Sequence, residues 1–177
     1  EDEGVDVQIL IDAEQLDPAR DWNDADERLV ARGFERVTDH RTLDDAGRRT
    51  ADIVGIAHSG LMHLKARLFE TPERASLLTG SMNPGDNALL NEESLHLVRD
   101  PRLIARYAAA YEAILRGQRI ENEWDAAAAV NVLFEPSARG PRAGSRLLEW
   151  IPQEEELIVL MGFSLRDITR AGSPPSL

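Results

Sequence analysis

The stretch from His63 to Glu93, HLKARLFETPERASLLTGSMNPGDNALLNEE, decides how the rest of this chain is interpreted. Side chains alternate between faces in an extended segment, so the sequence H-x-K predicts that His63 and Lys65 lie side by side on a strand that runs through to Phe69. A neutral imidazole can attack phosphorus, and a lysine beside it can hold a non-bridging oxygen. The pair therefore predicts a site for an anionic phosphorus centre.

Two further groups in this stretch suit the same anion. The small-residue turn Gly80-Ser81-Met82-Asn83 offers the hydroxyl of Ser81, the carboxamide of Asn83 and backbone N–H groups. Glu93 opens the next apolar run, where a carboxylate that accepts a hydrogen bond from the second ring nitrogen of a histidine would fix its tautomer.

These motifs, in this order, resemble the signature of the phospholipase D superfamily, the HKD phosphodiesterases. The positions that carry the resemblance are His63, Lys65, Gly80, Ser81, Asn83, Asn91 and Glu93. One position departs from the family pattern, because Glu70 stands where the family has an aspartate; its carboxylate could still form a structural salt bridge. Each motif alone is ordinary, a strand edge or a turn, so the resemblance depends on their order and spacing.

The resemblance implies phosphodiester hydrolysis or transphosphatidylation on a phospholipid-type substrate, through a phosphohistidine and without a metal or cofactor. It makes His63 the nucleophile or general acid, Lys65 and Asn83 the holders of the oxyanion, Ser81 a supporting donor and Glu93 the group that orients the histidine. Two alternatives stay open: a nuclease of the same superfamily, and a catalytically silent lobe that acts as a scaffold.

Composition narrows the class of protein. The 177 residues are enough for one domain, and the apolar and charged fractions, 42% and 29%, are typical of a soluble globular protein. The net charge of −12, from 20 basic and 32 acidic residues, disfavours long nucleic acid as a partner, although a local basic cleft could still bind it. No apolar run is long enough to span a membrane. We expect a soluble protein that is either cytoplasmic or secreted with its N-terminus removed; processing or truncation would account for the start at Glu1 without methionine.

Metal and thiol chemistry are not indicated. The chain has no cysteine, which excludes disulfides and thiolate ligands. His58 and His63 are five residues apart, so neither a helix nor a strand would bring their side chains together, and the glutamate of an H-E-x-x-H site is missing.

Hydrophobic patterning predicts an α/β fold, a mixed β-sheet flanked by helices on both faces and built as a phospholipase D-like lobe. The predicted strands of the first part are Val5 to Asp12, Phe34 to Val37, Ala51 to Ile56, Leu61 to Phe69, and Ser94 to Val98. A helix through Ala31 stops at Gly33, and Asp100-Pro101 starts a second helix that ends at Gly117.

We predict two parts, residues 1–125 with the HKD motif and residues 126–177. The second part is predicted as a strand, a helix and a strand that resemble the opening of another HKD repeat. Its elements are the strand Val130 to Glu135, the loop Ser137 to Ser145, the helix Arg146 to Ile151 and the strand Glu156 to Phe163. No second H-x-K occurs. The second HKD half is therefore expected from another segment of a two-repeat enzyme, missing or separately cleaved, or else from a homodimer mate.

Overall fold

The computed structural model describes residues 4–17, 19, 24–37, 43–57, 62–83 and 90–157. The chain divides into two compact units, Glu1–Ile120 and Glu121–Leu177, a few residues before the boundary predicted at residue 125. Within the described ranges, no helix is long and apolar enough to cross a membrane.

A parallel sheet opens the first unit. Its strands are β1 (Ile9–Asp12), β2 (Arg36–Val37) and β3 (Ile53–Ile56), in the spatial order β1-β3-β2. The apolar middle strand β3 is buried along its whole length, as expected for a parallel strand with a neighbour on each side. Helix α1 (Ala25–Val30) lies between β1 and β2 in sequence, and its buried Asp26 forms an ion pair with Arg36 of β2. This pair fixes the short helix to the edge of the sheet.

An antiparallel sheet follows in the same unit. Its strands are β4 (Ala66–Glu70), β5 (Ala75–Gly80) and β6 (Leu95–Val98), in the order β4-β5-β6. A tight turn joins β4 to β5, in which the N–H of Thr71 donates to the carbonyl of Arg74 over 2.8 Å. The register pairs Leu68 with Leu77 and Leu77 with Val98.

Helix α2 (Pro101–Leu115) packs against both sheets. The carboxylate of Asp100 caps it by accepting from the N–H of Arg102 over 2.9 Å, and Pro101 occupies its first turn, as predicted. The helix packs against β4 and β5, and its C-terminal end joins the core below β3. That core consists of Ala51, Val54, Ile56 and Leu115, with Leu10, Val37, Leu43, Met62, Tyr111 and Ile114 packed around them.

The broad α/β prediction is confirmed, but the arrangement of strands differs from the prediction. Instead of one mixed sheet, parallel and antiparallel strands form separate sheets in the described part of the chain. The reason is local. The tight turn at Thr71 folds β4 back on β5 as a hairpin, and these strands then pair with each other and with β6 rather than with β3.

The second unit differs more from its prediction. The predicted strand from Val130 to Glu135 is not a strand, because the side chain of Asn122 takes the backbone groups that a strand would need. Its amide donates to the carbonyl of Phe134 over 2.9 Å, and its oxygen accepts from the N–H of Phe134 over 2.8 Å. Asn122 is 5% exposed and also bonds the carbonyl of Pro141, so it holds this segment as an ordered loop.

The helix of this unit begins three residues earlier than predicted, and the strands lie where none was predicted. β7 (Ile120–Glu121) pairs with β8 (Ser137–Arg139), which lies in the predicted loop, and α3 spans Ala143–Trp150. The carboxylate of Glu135 accepts from the N–H of Ala143 over 3.0 Å and so gives a hydrogen-bond partner to a backbone N–H in the first turn of α3. Of the last predicted strand, Glu156 and Leu157 are not in a strand, and residues 158–163 lie outside the described residues.

We predict that Gly80→Ala lowers the free energy of unfolding by about 1–3 kcal/mol, as strained backbone positions do. Gly80 ends β5 with a φ of 153°, and a Cβ added there would collide with the carbonyl of Ser94 on β6. Urea denaturation measures the change. Gly144→Ala is the matched control, because a Cβ at this position of α3 meets nothing within 4 Å. Equal losses in both variants would contradict the prediction.

Candidate functional site

Asp12, the last residue of β1, anchors the segment that leads to the candidate site. Asp12 is 8% exposed, and its carboxylate accepts from the N–H of Glu14 and from the N–H of Met62, each over 3.0 Å. The side chain of Met62 also packs against the core below β3. A hydrogen bond to a buried carboxylate and apolar packing therefore both hold Met62, and this fixes where the backbone of the next residue, His63, begins.

His63 and Lys65 precede β4 rather than lying within it, so the predicted strand from Leu61 to Phe69 begins too early. β4 starts at Ala66, opposite Thr79. The pairing stops there because the hydroxyl of Thr79, which contacts the hydroxyl of Tyr107 on α2 at 3.4 Å, donates to the carbonyl of Lys65 over 2.9 Å. A side chain thus takes the acceptor that a backbone N–H would otherwise use.

Ser81 and Glu93 meet directly. The hydroxyl of Ser81 donates to a carboxylate oxygen of Glu93 over 2.5 Å and accepts from the N–H of Ser94 over 2.9 Å. The N–H of Ser81 in turn donates to the carbonyl of Ser94 over 3.0 Å. Gly80, which must be glycine to approach Ser94 this closely, makes the contact between the two segments possible.

Lys65 lies near the carboxylate of Glu93. Its ammonium donates to the carbonyl of His63 over 2.8 Å and is close enough to Glu93 for a favourable charge interaction. Burial lowers the pKa of Lys65 below its ordinary value, and the Glu93 carboxylate offsets part of this effect. A partly desolvated ammonium attracts an anion more strongly than an ammonium in bulk water, so this position suits an anionic ligand.

The two remaining donors of the predicted site face solvent. His63 and Asn83 are both exposed, and Asn83 is the last described residue before residue 90. An exposed imidazole next to a partly buried ammonium is accessible to a ligand that arrives from outside. The structure therefore brings Lys65, Ser81 and Glu93 together at one end of the antiparallel sheet and leaves the side chain of His63 exposed next to Lys65.

The interaction of Glu93 differs from the one that was expected. We expected its carboxylate to accept from the ring of His63, whereas here it accepts from Ser81. Among the described residues, no hydrogen bond joins Glu93 to the imidazole of His63. In this arrangement the hydroxyl proton of Ser81 is donated to Glu93, so this hydroxyl stabilises the carboxylate and does not donate to a bound anion.

Glu70 lies away from this cluster. It ends β4, opposite Ala75, which places it about 17 Å along the strand from Lys65 at the usual rise per residue. Glu70 is exposed at the far end of the sheet. Any contribution of its carboxylate is therefore structural and does not reach the reacting atoms.

Across the described ranges, no group of three or more histidine, cysteine, aspartate or glutamate side chains could hold a metal ion. His58, which was weighed as a partner of His63, lies outside the described residues. His96 is exposed on β6, in the strand where it was predicted.

Two residues that position the site, Asp12 and Thr79, are not predicted from the sequence. Asp12 was seen only as the acidic end of a strand, although an acidic residue directly after a buried apolar run is a signal of a polar site at the carboxyl end of a parallel sheet. Thr79 gave no signal, because its bond to Lys65 depends on the hairpin register.

Comparisons of the chain with protein-family models, with curated proteins and with solved structures find no match in any of the three. The resemblance to the phospholipase D superfamily therefore depends on the motif residues alone.

Proposed function

We propose that this chain contributes to the cleavage or transfer of phosphodiesters on a phospholipid-type substrate, with His63 as the reacting group of a phospholipase D-like lobe. The observation that carries the proposal is the convergence of Lys65, Ser81 and Glu93 beside an exposed His63. These residue types come from separate segments of the chain, and the antiparallel pairing brings them to one end of one sheet.

In the proposed reaction, a neutral imidazole nitrogen of His63 attacks phosphorus as the bond to the leaving oxygen breaks. A P–N bond forms, and the departing alkoxide takes a proton from an acid on the far side. Water or an alcohol then attacks the phosphohistidine, loses its proton to the same group, and releases His63 unchanged. Hydrolysis and transphosphatidylation differ only in which acceptor attacks in this second step.

Lys65 stabilises the charge that develops on the non-bridging oxygens. Its ammonium now donates to the carbonyl of His63, and ammonium groups have three donors, so it can bind an anion without giving up this bond. Glu93 holds the ammonium in place through their opposite charges, and Ser81 holds Glu93. Asn83 is the further donor that the exposed turn offers.

The far side of phosphorus requires a second group. An in-line displacement needs a nucleophile on one side and an acid on the other, and one histidine cannot occupy both sides in the same step. We therefore propose that His63 works with a second histidine and lysine, from another segment or from a second copy of the chain.

His63→Ala is expected to reduce hydrolysis of bis(p-nitrophenyl) phosphate by about a thousandfold or more, the scale of losing a reacting group. His96→Ala is the matched control, because His96 is equally exposed on β6, and we expect it to keep its activity. Activity should also survive EDTA, since the nucleophile is the imidazole. Loss of turnover in EDTA with recovery on adding zinc or calcium would replace this mechanism with a metal-dependent one.

The pH profile of the same reaction should show the lowered pKa of Lys65. The active form is the ammonium, so kcat/KM is expected to fall as the pH rises through a pKa below the ordinary value of 10.5 for lysine. The diester substrate keeps a single negative charge throughout, so the fall reports the enzyme. Lys65→Arg should move the fall to higher pH, because a guanidinium stays charged. An unchanged alkaline limb in Lys65→Arg would exclude Lys65 as its cause.

The dependence of activity on protein concentration tests the second histidine. If two copies share a site, activity per chain should rise with concentration in step with the dimer measured by analytical ultracentrifugation. If the second motif lies on another segment, the chain should be inactive at all concentrations and yet bind inorganic phosphate at His63 and Lys65. A monomer with constant activity per chain would refute the need for a second half.

A further inference from the structure

The antiparallel sheet has one face that α2 does not cover. Leu77 is fully buried and Thr79 contacts Tyr107 of α2, so the alternate residues of β5 point to the opposite side. The side chains on that side, which we call the open face, are Arg67, Phe69, Leu78, Leu95 and Leu97. The register places Arg67, Leu78 and Leu97 in one row across the sheet.

The apolar part of the open face is accessible to solvent. Phe69, Leu95 and Leu97 are 54%, 48% and 59% exposed. Single exposed apolar residues are common, but neighbouring ones on a flat sheet face form a patch of the kind that contacts another surface.

The same face is cationic, although the chain as a whole carries a net charge of −12. Arg67 lies within it, and Arg74 and Arg99 continue the alternation one residue beyond the ends of β5 and β6. The nearest carboxylates along these strands lie at its margins and have partners of their own. Glu73 in the turn accepts from the hydroxyl of Thr71, and Glu93 accepts from Ser81.

We propose that the open face docks on the surface of a bilayer that contains anionic lipids. Arginines bind lipid phosphates, while a phenylalanine and leucines on the same face enter the boundary between head groups and acyl chains. The inference rests on the proposed function in one respect: Leu95 pairs with Gly80, next to Ser81, so the docked face adjoins the candidate site and would place it at the level of the phosphodiester.

Two other occupants fit the open face less well. Single-stranded nucleic acid binds sheet faces by stacking successive bases on aromatic rings, and of the five side chains of the open face only Phe69 is aromatic. A second copy would bring the three arginines of each face towards those of the other, because a twofold interface opposes identical surfaces.

The test is co-sedimentation of the chain with vesicles of phosphatidylcholine alone or with an equal amount of phosphatidylglycerol. We expect binding to the anionic vesicles only, weakened by added salt. Arg67→Gln and Arg99→Gln should each reduce affinity by about fivefold, and Phe69→Ser by about tenfold. The control variants Arg48→Gln and Val30→Ser remove an exposed cation and an exposed apolar side chain elsewhere, and they should bind as the parent does.

Circular dichroism establishes that each variant is folded, since the substituted side chains are exposed. Equal binding by all folded variants, no binding to anionic vesicles, tighter binding to an oligonucleotide, or a dimer that Phe69→Ser dissociates would each overturn the proposal. Vesicle binding is measured without any substrate turnover, so its result does not depend on catalysis. Vesicle binding with neither hydrolysis nor phosphate binding at His63 and Lys65 would refute the proposed function alone, whereas hydrolysis of bis(p-nitrophenyl) phosphate without vesicle binding would refute docking alone.

Discussion

A buried carboxylate, that of Asp12, determines how the candidate site is attached to the fold. A charge that is removed from water must be hydrogen-bonded, and here the N–H groups of Glu14 and Met62 meet that need. One bond shapes the turn after β1, and the other reaches across 50 residues to the segment that leads into β4. The side chain of Met62 packs against the core cluster of Val54 and Ile56. Polar and apolar contacts therefore both fix the backbone directly before His63.

The antiparallel sheet combines the candidate site with the proposed docking surface because α2 covers only one of its faces. At one end of the sheet, Lys65, Ser81 and Glu93 interact through charge and hydrogen bonds. On the uncovered face, Arg67 and Leu95 lie near that end, whereas Phe69, Arg74 and Arg99 lie towards the opposite end. A substrate that is anionic at its head and apolar in its tails would contact both regions at once.

The electrostatics of the site differ from those of the chain. A net charge of −12 opposes anion binding at a distance, yet Lys65 is partly desolvated and interacts with the carboxylate of Glu93. Because salt screens distant charges more than close ones, the local arrangement decides what binds there. The same reasoning explains how a cationic face can exist on an acidic protein.

The sequence alone determined the α/β class and the start of α2 at Asp100-Pro101, because these depend on local pattern and spacing. Only the tertiary structure decided that parallel and antiparallel strands separate, that Glu93 bonds Ser81 rather than His63, and that Glu70 lies at the far end of β4. Each of these depends on which strands pair and in what register, and register brings together residues that are distant in sequence. A spacing in one sequence indicates which side chains can share a face, whereas the partners of each side chain are fixed only when the strands meet.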